Sequence, residues 1–183
     1  MDALDETPAQ LIWRDPPVAA ADYAPAIWVP LTRLLGAHRR LLTMAERLPE
    51  AVWEADSEIP GWRRRDVLAH VTSQGAQHHR PLLAVLAGAP LVEWQADADD
   101  PTVDSASWNA RAVAERVEWP IARLAEELEA NLGESLRLWA AVENGQILQS
   151  YGLAPNLLSG IEKHASHIDG HADQIVNGPQ MLR

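Results

Sequence analysis

Histidine is the residue type in this chain whose spacing points to chemistry. His167 and His171 stand four apart in a segment whose apolar stripe is Leu157, Ile161, Ala165, Ile168, Ala172 and Ile175. At about 100 degrees per residue, His164, His167 and His171 share one flank of that stripe. Side chains four apart on a helix lie about 5 to 6 Å from each other at Cβ, so the rings of His167 and His171 can reach one ion. In an earlier segment His70 flanks the apolar face that carries Val67 and Val71, and a bundle core brings it opposite that pair. Three nitrogen donors, His70, His167 and His171, would then converge. Neutral imidazole binds zinc, nickel or iron(II) at neutral pH without first losing a proton. Three protein ligands leave a coordination position open, where a metal activates water or polarises a thiol or carbonyl, whereas a fourth ligand makes the site structural.

The pair also has a plainer reading, because histidines four apart on an amphipathic helix are commonly solvated or hydrogen-bonded. The spacing leaves His164 open as a substitute for His167 or as a hydrogen-bonding neighbour of the site. His78, on the inner side of its helix, is either a pocket residue or a satisfied core histidine, while His38 and His79 read as surface residues. Gln74 follows His70 by one turn and Gln174 follows His171, each placed to orient a ligand or simply to pack. Among eight tryptophans, Trp62 and Trp108 are candidates for the mouth of the site and the rest for packing. The run Arg63, Arg64, Arg65 opens a helix, where the dipole disfavours positive charge, and reads as a solvated turn or an anion contact.

The elements that must position these residues are helical throughout. A chain of 183 residues fits one domain with a sizeable core and, lacking cysteine, has no disulfides or thiolate metal ligands. Residues 1–24, with Pro8, Pro16 and Pro17, read as an extended arm, and residues 25–183 as the domain. The spacing predicts a first helix to Leu48, a second over roughly 64–88 kinked or split at Pro81, and a third over 105–142 bent at Pro120. A fourth runs from Pro155 to about Val176. Pro60-Gly61 marks a turn, and the stretch 89–103 a long loop of the kind that borders sites. No strand-like alternation or repeat is visible, so the expectation is an all-α, up-down four-helix bundle. A formal charge of -11 disfavours phosphate backbones and anionic membranes as partners. No window approaches the run of about twenty apolar residues that a membrane span needs. The acidic N-terminal stretch is unlike a signal peptide, which leads to the expectation of a cytoplasmic protein.

Two stretches resemble the DinB-like bundle proteins, which include metal-dependent hydrolases and thiol-dependent S-transferases. IPGWRRRDVLAHV, Ile59 to Val71, is similar to the N-terminal domain of mycothiol-dependent maleylpyruvate isomerases. HIDGHADQI, His167 to Ile175, resembles the last-helix motif of DinB-like proteins, in which two histidines four apart precede glutamine-isoleucine. VDSASWNARAV, around Trp108 and Asn109, is a looser match to the start of their third helix. The resemblance implies a divalent metal, zinc or nickel, on His70, His167 and His171, in a bundle that often forms a homodimer. It also implies a small-molecule substrate, with mycothiol or bacillithiol as a thiol cofactor. The isomerases carry glutamate where His167 stands and an added C-terminal domain, so the fold and metal site transfer better than their substrate. The expected activity is metal-dependent S-transfer to small electrophiles or hydrolysis. The rival expectation is a non-catalytic metal- or ligand-binding bundle of the stress-response type.

Overall fold

The computed structural model describes residues 23–89, 97, 100, 102–147 and 156–177. Residues 1–22 of the expected N-terminal arm, most of the long loop after residue 89 and the connection around Gly152 and Pro155 lie outside the described residues. A 3-10 turn, Pro25–Ile27, leads into α1, Trp28–Arg47. After a one-turn helix at Glu50–Trp53 come α2, Arg64–Ser73, and α3, Gly75–Leu86. Then follow α4, Ser105–Ala114, α5, Ile121–Ala140, and α6, Leu157–Asn177. Among the described residues there is no strand, only an isolated bridge between Asp56 and Arg63 beside the Pro60-Gly61 turn. Gly61 takes φ +82°, a conformation that a residue with a side chain rarely adopts.

Helical period accounts for the core. Along α5, Leu124, Leu128, Leu132 and Leu136 recur every fourth residue and are at most 1% exposed. In α6 the buried set includes the six-residue stripe read from the sequence, Leu157 to Ile175. Ile27, Leu31, Leu34, Leu35 and Leu41 line the inner face of α1 and its leading turn. Each such side chain withdrawn from water contributes about 1.5 to 3 kcal/mol before conformational entropy is subtracted.

The expected all-α bundle is what forms, with α1, the α2–α3 pair, α5 and α6 as its four legs. Cross-contacts give their directions. Arg33 pairs with Glu162 and Arg40 with Asp169 and Asp173, so α1 and α6 run in parallel. Thr72 meets Asn131, His79 meets Ser135 and Val85 meets Gln146, so α2–α3 and α5 are also parallel. His70 faces His171 while His78 faces His164, which makes α2–α3 antiparallel to α6. The order is therefore up, down, down, up rather than simple alternation. A tight connection forces neighbouring helices antiparallel, whereas the 34 residues between Leu86 and Ile121, which include α4, are enough to return the chain to the starting end.

Two helix breaks differ from expectation. The second helix is interrupted at Gln74, and Pro81 sits inside α3. The third is two helices: α4 stops at Ala114, and Pro120 is the extended N-cap residue of α5 rather than a bend within one helix. Proline has no N–H for the helix and pushes the residue before it away from helical geometry.

Candidate metal centre

His70 lies in the last turn of α2, and His167 and His171 lie on successive turns of α6. The antiparallel crossing of these helices sets the three rings edge to face. Centroid separations are 5.6 Å for His70 and His167, 4.7 Å for His70 and His171, and 4.4 Å for the α6 pair. One ring nitrogen from each histidine lies within 4.8 Å of the other two. This is the set that spacing suggested. His164 is outside it, because its ring turns toward α3 and stacks on His78 at 3.5 Å.

The hydrogen bonding around the three rings is incomplete in an informative way. His70 Nδ1 and His167 Nε2 are buried and have no hydrogen-bond partner among the described residues. A buried polar atom left unmatched costs about 1 to 3 kcal/mol, and few are tolerated in a folded chain. His171 Nδ1–H donates to Gln174 Oε1 at 2.6 Å, which fixes the tautomer and leaves the Nε2 lone pair uncommitted. The structure sets the Gln74 amide nitrogen 3.3 Å from His70 Nε2. The two ends of a side-chain amide are interchangeable in placement, and with the oxygen on that side it would accept from Nε2–H and leave the Nδ1 lone pair available. Both glutamines therefore touch ligand candidates rather than merely packing.

Burial keeps these imidazoles neutral. Desolvation, with His171 and His167 as like-charged neighbours, lowers the His70 pKa to about 3. Desolvation and then His171 lower that of His167 to about 4, and desolvation lowers that of His171. At neutral pH all three offer lone pairs rather than positive charge, as a cation requires.

Trp62 stands edge-on to His70 with centroids 5.4 Å apart, bordering the site as expected. Trp108 is on α4 and makes no ring contact with the triad among the described residues. Two of the three arginines are ion-paired: Arg63 pairs with Asp66 and Glu54, and Arg65 binds Glu54 and the Trp119 carbonyl, while Arg64 donates to the Asp56 main-chain oxygen. Asp66 also accepts from the Arg63 main-chain N–H, so the run is tied into the start of α2.

The readings of His38 and His79 as surface residues are corrected: they are 2% and 8% exposed. His38 falls between Leu34 and Leu41 on the buried stripe of α1, a periodicity visible in the sequence, and its Nδ1–H donates to Leu34 O at 3.0 Å. His79 faces α5, where its Nε2–H is shared between Asn131 O and Ser135 Oγ. Half-buried His78 and His164 stack, and His38 meets His164 edge to face at 5.7 Å. One turn from the triad, the bundle thus carries a second histidine layer drawn from α1, α3 and α6.

Fold and site together define a DinB-like helical bundle with three convergent histidines. Residues 34–157 match the family model for the mycothiol maleylpyruvate isomerase N-terminal domain, and the chain belongs to that family. The matched span contains His70 and ends at the first residue of α6, before His167 and His171. No curated protein and no solved structure matches the chain. No helix among the described residues is long and apolar enough to cross a membrane.

Proposed function

We propose that this protein is a metal-dependent enzyme in which His70, His167 and His171 hold one divalent ion and a low-molecular-weight thiol is transferred to a small electrophile. The observation that carries the reading is the pair of buried, unpartnered nitrogens, His70 Nδ1 and His167 Nε2, beside a third ring whose other nitrogen is already committed to Gln174. Such a donor set suits a borderline ion, zinc before nickel. When bound, the ion supplies Lewis acidity that lowers the pKa of a thiol or water at the open position. Gln174 and Gln74 orient two of the rings, and Trp62 covers the edge of His70. The chain has no cysteine, consistent with a nucleophile supplied from outside, and mycothiol is the thiol that the family's name suggests. With water in place of thiol the same site would support hydrolysis. A cytoplasmic homodimer belongs to this proposal, and light scattering on the purified protein tests the dimer.

The test is elemental analysis of protein purified without an affinity tag, for wild type and His171→Ala, with the fold checked by circular dichroism. About one equivalent of metal, lost in a folded variant, supports the reading and leads to a transfer assay with mycothiol and bacillithiol. A folded wild type that neither contains nor takes up metal overturns it.

A further inference from the structure

We propose that Asn131, on α5 and outside the histidine set, is a positioning residue that latches the α2–α3 break and thereby places His70 for the metal. This inference rests on the metal reading above. His70 is the one candidate ligand not on α6, so the width of the triad depends on where the last turn of α2 sits. That turn ends three residues later at Ser73, and Gln74 stands in the gap before α3 begins.

Asn131 grips both sides of the gap. Its Nδ2–H donates to Thr72 O at 2.7 Å, supplying a side-chain partner to a carbonyl in the last turn of α2. Its own main-chain oxygen accepts from His79 Nε2–H at 3.0 Å, on the first turns of α3. Between these holds the Asn131 side chain fills the space above Gly75: a Cβ there would lie 2.2 Å from both Cγ and Oδ1. Glycine at 75 and asparagine at 131 therefore form one device. Ser73 Oγ donates to His70 O at 2.7 Å, tying the ligand's own turn to the end of the helix. The Gln74 amide, held in the gap, reaches the His70 ring. With the Asn131 side chain removed, Thr72 O loses its tie to α5 while the His79 bond to the Asn131 main-chain oxygen remains, so the last turn of α2, with His70 and Gln74, is held to α5 from one side of the gap only.

The experiment uses the full chain, stripped of metal, titrated with zinc against a chromogenic chelator and with cobalt(II), whose visible spectrum reports ligand geometry. Asn131→Ala is expected to weaken zinc binding about tenfold, the lower end of the range for residues that orient ligands. It should also alter the cobalt spectrum. Gly75→Ala pushes Asn131 off Thr72 and should have the same effect, with the double variant no weaker than either single one. If Asn131→Ala does not fold, Gly75→Ala carries the same test. Gln146→Ala is the control, since it removes another bond to the second leg, Gln146 Nε2–H to Val85 O, far from the break, and should leave affinity unchanged. A wild type that takes up neither metal overturns the metal reading and the latch with it. A wild type that binds zinc, beside a folded latch variant that binds it equally tightly with the same cobalt spectrum, overturns the latch alone. So does a control that weakens binding as much as the latch variants.

Discussion

Replacing His38 with leucine is expected to make the metal-free protein less sensitive to acid by about 2 kcal/mol between pH 7.5 and pH 5. The side chain lies 2% exposed on the apolar stripe of α1, and desolvation lowers its pKa from 6.5 to about 4, outweighing the opposing bond to Leu34 O. A folded-state pKa below the unfolded value means that the unfolded chain binds the proton more readily, so stability rises with pH. The contribution is complete above pH 6.5, falls as pH drops below 6.5, and stops falling near pH 4, where the folded form also takes the proton. From 6.5 to pH 5 is about 1.5 units at about 1.4 kcal/mol each, hence about 2 kcal/mol for this one ring. Leucine fits between Leu34 and Leu41 and cannot titrate. The assay is urea unfolding of wild type and His38→Leu at both pH values with a chelator present. The quantity read is the difference between the two proteins in stability lost on acidification, which removes any constant effect of the substitution. Equal losses in the two proteins would refute the claim that His38 is buried and neutral.

Three further outcomes are expected. Gln174→Ala frees His171 Nδ1 from its 2.6 Å partner and should weaken zinc affinity about 10- to 100-fold, read by chelator competition, with helix content unchanged. Leu128→Ala, at a site 1% exposed in the α5 stripe, should cost about 2 to 5 kcal/mol of stability in urea unfolding at pH 7.5. Asp66→Ala removes the carboxylate that accepts from the Arg63 main-chain N–H and leaves the arginines at the start of α2 without that counter-charge. Its cost, measured in the same way, should be about 1 kcal/mol and should shrink in high salt.

Local features of this protein can be read directly from its residues. The stripe from Leu157 to Ile175 and the shared flank of His167 and His171 follow from helical period alone, so the sequence by itself determined that α6 is amphipathic and presents these two histidines on one side. The burial of His38 was readable on the same grounds, since it continues the spacing of Leu34 and Leu41. What only the tertiary structure decided involves partners distant in the chain. Nothing near His70 specifies that it meets His167 and His171, nearly a hundred residues on; the antiparallel crossing of α2 and α6 does. The break at Gln74 depends on Asn131, because the space that Gly75 leaves has meaning only once α5 packs against it. His79 is buried because α5 supplies the Asn131 and Ser135 oxygens, and a histidine's surroundings cannot be read from its own helix when its partners stand on another. The parallel run of α2–α3 and α5 likewise follows from the long return between them. Helix period is a property of a few consecutive dihedral angles, whereas a ligand set or a helix break is an agreement between surfaces that exist only after packing.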